Sequence, residues 1–176
     1  RPILITKHLL KYFILKHTYR GIAMTGEPAP NFTLKNTAKE SISLSDYHGK
    51  TVILAFYPGA FTGVCDKEMC TFQENMAALN SANAEVIGIS VDSPWANAEF
   101  ARKHGLEFTL LSDLDREVVE SYDVKFVGLG GIEGYVCANR AVVIIDGEGN
   151  IVHRWIAENP GVEPNYDEIV AFVSNL

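Results

Sequence analysis

Residues 52–65 read VILAFYPGAFTGVC, and this stretch decides the fold. Its first six residues form a continuous apolar run that ends at Pro58. Such a run is typical of a strand that is buried on both faces of a sheet. Residues 66–81 then place apolar side chains at helical spacing. The stretch therefore predicts a buried strand, a loop and an amphipathic helix, with Cys65 in the first turn of that helix.

Similar patterns recur along the chain, where apolar runs alternate with amphipathic segments. The predicted strands are residues 85–91, 141–145 and 151–156, with short edge strands at 32–34 and 42–44, and the predicted helices are residues 94–104, 115–122 and 166–175. The sequence DGEGN between two of these strands predicts a hairpin. This order of elements predicts an α/β fold, with a central mixed β-sheet flanked by helices.

The composition narrows the possible classes of function. The 176 residues are 47% apolar and 21% charged, which is ordinary for a globular domain. From Met24 onward, ten Lys and Arg residues stand against 22 Asp and Glu residues. A domain this acidic lacks the excess of positive charge that binds the phosphates of nucleic acid. No apolar run is long enough to span a bilayer. We expect neither nucleic acid nor a membrane as a partner of the domain.

The first 23 residues differ from the rest, because they hold five cations and no acid. Three interpretations stay open: an organelle-targeting peptide, a basic amphipathic helix for a surface or partner, and a segment without a role. We therefore divide the chain into a basic N-terminal extension of uncertain role, residues 1–23, and one domain, residues 24–176.

Three cysteines, Cys65, Cys70 and Cys137, are too few for a disulfide-stapled secreted scaffold and indicate a cytoplasmic location. Together with five scattered histidines they lack the spacing of a zinc site, and no CxxC motif is present. The sequence therefore predicts no metal and no cofactor. Cys65 is the cysteine suited to chemistry, since a helix N-terminus offers unpaired N–H groups and a positive partial charge that stabilise a thiolate.

The motif Pro58-x-x-x-Thr62-x-x-Cys65 is similar to the Pro-x-x-x-Thr/Ser-x-x-Cys active-site motif of peroxiredoxins. Two more segments resemble that family, SPWANAEFARKHGLEFTLLSD at 93–113 and NRAVVIIDGEGNIVHRW at 139–155. The resemblance covers about residues 26–175 and is closest to the bacterioferritin comigratory protein type. It implies a thioredoxin-like fold and a thiol-dependent peroxidase, with hydrogen peroxide and organic hydroperoxides as substrates.

The resemblance also implies roles for individual residues. Cys65 is the peroxidatic cysteine, which the peroxide oxidises to sulfenic acid. Thr62 accepts a hydrogen bond from the thiol and donates one to the peroxide, and Pro58 shields the site. Arg140 stabilises the thiolate and polarises the peroxide, and Glu68 orients that arginine. The chemistry of arginine suits this role, because its guanidinium is permanently charged and carries several N–H donors. Each polar residue also has a plainer interpretation: Thr62 as a helix cap, Arg140 as an edge charge, Glu68 as a first-turn acid.

A second thiol is needed to resolve the sulfenic acid. Cys70 is favoured, because the resolving cysteine has this same spacing in the family type that the chain resembles. Residues five apart on a helix are separated by about 7.5 Å of rise, whereas a disulfide needs Cα atoms within about 7 Å. A Cys65–Cys70 bond therefore predicts local unwinding of the helix. Cys137 is the runner-up, and a one-cysteine mechanism with an outside thiol is the third possibility.

The remaining expectations concern partners and surfaces. The resemblance implies re-reduction by thioredoxin or a similar thiol reductant, and a monomer or homodimer. Phe61 and Trp95 are candidates for an apolar substrate entrance, and residues 127–134, VGLGGIEG, predict a flexible loop. The alternative function is a redox-regulated chaperone or interaction module on a thioredoxin-like scaffold. Such a module would keep its function after Cys65→Ser, whereas a peroxidase would lose turnover.

Overall fold

The structure is a computed structural model that describes residues 25–176. The predictions made for residues 1–23 therefore lie outside the described residues. None of the helices within 25–176 is both long and apolar enough to cross a membrane.

In the part of the chain that the structure describes, nine strands form a seven-stranded sheet and a separate hairpin. They are β1 (Thr33–Asn36), β2 (Ser41–Ser43), β3 (Thr51–Phe56), β4 (Ala84–Ser90), β5 (Thr109–Ser112), β6 (Lys125–Val127), β7 (Val136–Ala138), β8 (Ala141–Ile145) and β9 (Ile151–Ile156). The large sheet has the order β2-β1-β5-β4-β3-β8-β9, and β6 pairs with β7. Strand β3 runs parallel to β4 and antiparallel to β8, so the predicted mixed sheet is confirmed.

The described residues also form five α-helices: α1 (Gly63–Glu74), α2 (Met76–Ser81), α3 (Pro94–His104), α4 (Glu117–Ser121) and α5 (Tyr166–Ser174). A short 3-10 helix, Leu44–Tyr47, follows β2. The single helix predicted at 66–81 is wrong in one respect, because it breaks at Asn75. There the side-chain amide of Asn75 donates to the carbonyl of Thr71 at 2.8 Å, which competes with continuation of the helix.

The alternating side chains of β3 separate two core layers, because successive residues of a strand point to opposite faces of a sheet. Ile53, Ala55 and Tyr57 belong to the layer that contains Cys65 and helix α1. Val52, Leu54 and Phe56 belong to the opposite layer, which contains Cys137. Burial on both faces explains why β3 reads as an unbroken apolar run.

The glycine-rich segment 127–134 was predicted as a loop. It connects β6 to β7 and contains one short 3-10 turn, Leu129–Gly131, in which Gly130 adopts a left-handed φ of 64°. The sequence patterns did not predict the two strands of the hairpin, each of which is three residues long.

Gly88, in the middle of β4, leaves space for the side chains that cover this face of the sheet. A Cβ built at this position would lie 2.5 Å from Cδ2 of Leu110, 3.3 Å from Cε1 of Tyr57 and 3.5 Å from Sδ of Met69. These side chains are buried, so they have little room to move away. Glycine is required here for space rather than for backbone freedom.

We expect Gly88→Ala to lower the free energy of unfolding by about 1–3 kcal/mol, because the added methyl overpacks the core. The matched control is Gly63→Ala, since a Cβ at Gly63 meets nothing within 4 Å. The control should be neutral or slightly stabilising, as alanine is favoured over glycine in helices. Urea unfolding followed by tryptophan fluorescence measures both, and equal stabilities of the two variants would contradict this account of Gly88.

Candidate active site

Cys65 lies where the sequence predicted it, in the first turn of α1. Thr62 occupies the N-cap position with an extended backbone (φ −106°, ψ 128°), and Gly63 opens the helix. The backbone N–H of Cys65 donates to the carbonyl of Thr62 at 2.8 Å. The thiol is fully buried, at the end of the helix that carries the positive partial charge.

The sheet register brings Arg140 to this cysteine across 75 residues of sequence. Strands β3 and β8 are antiparallel, and Phe56 at the end of β3 pairs with Ala141 at the start of β8. Arg140, one residue before Ala141, therefore lies beside the loop that leads from β3 into α1. Its Nη2 donates to Sγ of Cys65 at 3.2 Å.

Arg140 is buried, with only 1% of the residue exposed. Besides Cys65, two more acceptors hold its guanidinium. Nη1 donates to Oε2 of Glu68 in a buried ion pair. Nε and Nη2 both donate to the backbone carbonyl of Pro160, at 3.1 and 2.9 Å. With the bond to Cys65, four of the five N–H groups of the guanidinium have an acceptor. A buried arginine needs such partners, because an unpaired buried charge is strongly destabilising.

The electrostatics of this pair keep the guanidinium charged. Burial lowers the pKa of Arg140, but the neighbouring Glu68 and Cys65 raise it by more, so the net shift is upward. Burial raises the pKa of the Glu68 carboxyl well above its ordinary value, and the adjacent guanidinium offsets only part of that shift. Within residues 25–176, Oε1 of Glu68 has no hydrogen-bond partner, so Arg140 is the main support of this carboxyl group. Cys65 and Glu68 thus share one cation.

Thr62 does not act as a side-chain helix cap, although it stands at the N-cap position. Its hydroxyl donates to the carbonyl of Gly59 at 2.8 Å. The Thr62 side chain is exposed, so its oxygen can still accept a hydrogen bond from a molecule that enters the site. In this conformation its own hydrogen is directed to Gly59 and not to a peroxide.

The loop between β3 and α1 is tightly built. Pro58 is buried. Phe61 has a left-handed φ of 62°, which is strained for an aromatic residue. Its ring is 46% exposed and packs edge-on against Phe100 at 5.4 Å. Trp95 is 68% exposed near the start of α3. Both aromatic rings remain candidates for an apolar entrance.

Sequence reasoning missed the polar residues that hold this loop. Asp92 follows β4, and its Oδ2 accepts from the backbone N–H of Ala60 at 2.8 Å and from the hydroxyl of Ser90 at 2.9 Å. The position of Asp92 just beyond the carboxyl end of a parallel strand is where functional residues of α/β sheets gather. That signal was present in the sequence.

A buried network continues beneath the loop. The hydroxyl of Tyr57 donates to Oδ1 of Asn97 at 2.7 Å, and Nδ2 of Asn97 donates to the hydroxyl of Ser112 at 3.2 Å. Burial raises the pKa of Tyr57, so the phenol stays protonated and acts as a donor. The network links the end of β3 to α3 and β5, so the loop between β3 and α1 packs on a rigid, hydrogen-bonded layer.

The other two cysteines lie in different surroundings. Cys70 is half-buried on the intact helix α1, five residues after Cys65. Cys137 is buried in β7, in the core layer on the opposite side of the sheet from Cys65. All three cysteines are free thiols. Within residues 25–176, no cluster of three His, Cys, Asp or Glu side chains is arranged to hold a metal ion.

Comparisons with known proteins match this architecture. A sequence model of the AhpC/TSA family matches residues 25–154. The chain is 35% identical over 130 residues to "Peroxiredoxin Bcp" of Bacillus subtilis, covering 74% of this chain and 83% of the relative. It is 42% identical over 130 residues to "Putative peroxiredoxin bcp" of Coxiella burnetii, covering 74% and 86%.

Solved structures agree with the sequence relatives. The crystal structure of peroxidoxin BcpB from Mycobacterium tuberculosis matches with a TM-score of 0.76 at 26% identity, covering 88% of this chain and 99% of the other. A PrxQ mutant from Xylella fastidiosa matches with a TM-score of 0.77 at 25% identity, covering 88% and 98%.

The family model's match, residues 25–154, includes Cys65, Arg140 and the strands and helix beside them. The fold is thioredoxin-like, and the molecule is an enzyme of the thiol peroxidase class. The chain belongs to the AhpC/TSA family, and its relatives are peroxiredoxins of the bacterioferritin comigratory protein type. The resemblance read from the sequence is therefore confirmed.

The buried Cys137 should be inert towards alkylation. Burial, followed by the influence of Cys65 and Asp92, raises the pKa of this thiol to about 11. A thiol reacts through its thiolate, so Cys137 should stay unlabelled by iodoacetamide from pH 7 to 9 in the folded protein. Peptide mass spectrometry checks this, with protein in 6 M urea as the control that labels all three cysteines. Labelling of Cys137 as fast as Cys70 would contradict the expectation.

Proposed function

We propose that this enzyme reduces hydrogen peroxide and organic hydroperoxides through Cys65, with Cys70 as the resolving thiol and thioredoxin or a similar dithiol as the reductant. The observation that carries the proposal is the 3.2 Å contact between Nη2 of Arg140 and Sγ of Cys65. A permanently charged donor on a buried cysteine has a clear chemical use, which is to stabilise the sulfur as an anion.

The first step oxidises the sulfur and reduces the peroxide. The Cys65 thiolate attacks the terminal oxygen of the hydroperoxide, an S–O bond forms and the O–O bond breaks. The leaving oxygen departs as an alkoxide or hydroxide and takes a proton, giving an alcohol or water. Arg140 stabilises the negative charge as it moves from sulfur to that oxygen, and donors of this kind contribute about 10²–10³-fold to rate.

The neighbouring residues position the peroxide for this step. The Thr62 oxygen is free to accept from the peroxide O–H, because its own hydrogen goes to Gly59. Pro58 is buried, and we assign it the role of keeping water away from the sulfur. Glu68 orients Arg140 through the buried ion pair. Desolvation strengthens each of these interactions, because a low dielectric increases the energy between charges.

The second step requires the start of α1 to unwind. On an intact helix, five residues of rise separate Cys65 from Cys70 by about 7.5 Å, beyond the reach of a disulfide. Two features favour unwinding from this end. The N-cap Thr62 provides no side-chain cap, which leaves helix N–H groups unsatisfied. The first helical residue is Gly63, which has low helix propensity.

Cys137 stays the runner-up for resolution and Cys70 the favoured residue. The burial of Cys137 on the other side of the sheet counts against it. Three other points stay predictions. They are the cytoplasmic location, which was inferred from the low number of cysteines, the choice between a monomer and a homodimer, and the division of the chain at residue 24.

Intact mass after one equivalent of hydrogen peroxide tests the proposal. Wild type should lose two hydrogens, mapped by peptide analysis to a Cys65–Cys70 bond, because resolution follows oxidation. Cys70→Ser should instead gain one oxygen on Cys65. Cys65→Ser should show no peroxide-dependent change and no turnover with thioredoxin and its reductase.

Retained turnover in Cys65→Ser would contradict the peroxidase assignment of this cysteine. A bond mapped to Cys137 would move the resolving role to the runner-up. One added oxygen on wild-type Cys65, with no disulfide, would indicate the one-cysteine mechanism with an outside thiol.

A further inference from the structure

A second cluster of reactive side chains lies between α1 and the end of α3. Sγ of Cys70 is 3.6 Å from Nδ1 of His104, and Nε2 of His104 is 3.4 Å from Oδ2 of Asp66. Asp66 and Cys70 are four residues apart, so they are neighbours on one face of α1. His104 is the last residue of α3. We call Cys70, His104 and Asp66 the thiol–imidazole–carboxylate cluster.

We propose that His104 is the general base that takes the proton from Cys70 when Cys70 attacks oxidised Cys65. The inference rests on the proposed resolving role of Cys70. Nδ1 accepts the proton from the thiol, the Cys70 sulfur bonds to the Cys65 sulfur, and the S–O bond of the sulfenic acid breaks. The hydroxide that leaves takes a proton and becomes water. A disulfide and one water are formed, and the imidazole returns to its neutral form.

The need for a base follows from the surroundings of Cys70. Burial raises the pKa of this thiol, and the nearby Asp66 and Glu74 carboxylates raise it further. Near neutral pH the sulfur is therefore protonated, and a protonated thiol is a poor nucleophile. A base in contact with the sulfur removes this obstacle.

The Asp66 carboxylate favours the tautomer that such a base requires. A neutral imidazole has one N–H donor and one acceptor nitrogen. Among the described residues, Nε2 of His104 is buried and makes no hydrogen bond, and Oδ1 of Asp66 is also unpartnered. The charged group that faces Nε2 is the Asp66 carboxylate, with Oδ2 at 3.4 Å, so the electrostatic attraction favours a hydrogen on Nε2. Nδ1 is then the acceptor, and it faces Cys70.

Two contacts hold the His104 ring at the C-terminal end of α3. The Asp66 carboxylate faces its other nitrogen. The ring is also held in place, because it packs edge-on against Phe100 with centroids 5.0 Å apart.

Cys70 can stay beside His104 while the first turns of α1 unwind. Gln73, in the last turn of α1, donates from Nε2 to Glu107 at 3.2 Å and accepts from the Glu107 backbone N–H at 2.8 Å. Glu107 lies three residues after His104, so these bonds tie the end of α1 to the end of α3. Unwinding of residues 63–69 would move Asp66 away from the imidazole and carry oxidised Cys65 to a Cys70 that is still in contact with its base.

Rapid quench separates the two chemical steps. Protein is mixed with one equivalent of hydrogen peroxide, quenched with an alkylating agent at successive times, and analysed by intact mass. The His104→Ala substitution should slow the disulfide-forming step, roughly 10²-fold, which is the usual contribution of a general base. Added imidazole should restore much of the rate by replacing the missing ring. His48→Ala, which removes an exposed histidine, is the matched control and should behave as wild type.

A wild-type rate of disulfide formation in His104→Ala would overturn the proposal. Slow formation that imidazole does not restore would also overturn it, since His104 would then act by packing alone. Failure of the proposed function looks different, because the wild-type protein itself would form no Cys65–Cys70 bond.

Discussion

One guanidinium shared by a buried thiol and a buried carboxyl group is the interaction on which the rest of the site depends. Arg140 donates to the sulfur of Cys65 and to the carboxylate of Glu68, and the carbonyl of Pro160 takes two of its remaining N–H groups. A charge buried in this way persists only if its partners are fixed. The fold therefore has to hold a helix, a strand end and a loop in register around one side chain.

The sheet meets that requirement through β3 and β8. Their antiparallel pairing sets Phe56 opposite Ala141, which places the entry to α1 beside Arg140. The same helix carries Cys65 and Glu68 one turn apart, so both face the arginine. Its weakly capped start opposes this rigidity, and the chemistry proposed for Cys70 needs both properties. The first turns can open while the Gln73–Glu107 contact keeps the last turn docked.

Much of this arrangement could be predicted from the sequence. The apolar run of β3 and the spacing of Pro58, Thr62 and Cys65 identify the strand–loop–helix unit, and the family resemblance supplied Arg140 and Glu68. Other parts left no readable signal. The Pro160 contact is made by a backbone carbonyl, which any residue carries. His104 meets Cys70 only through the packing of α3 on α1, and 34 residues separate them in sequence. The break at Asn75 depends on one side-chain hydrogen bond that competes with the helix.

A double-mutant cycle on Glu68 and Arg140 tests the central claim most directly. The quantity is the second-order rate constant of Cys65 oxidation by hydrogen peroxide, in wild type, Glu68→Gln, Arg140→Lys and the double variant. If Glu68 acts through Arg140, each single change lowers the rate, by about 10²–10³-fold for the arginine, and the double variant reacts about as slowly as Arg140→Lys alone. Independent losses that multiply in the double variant would contradict a shared guanidinium.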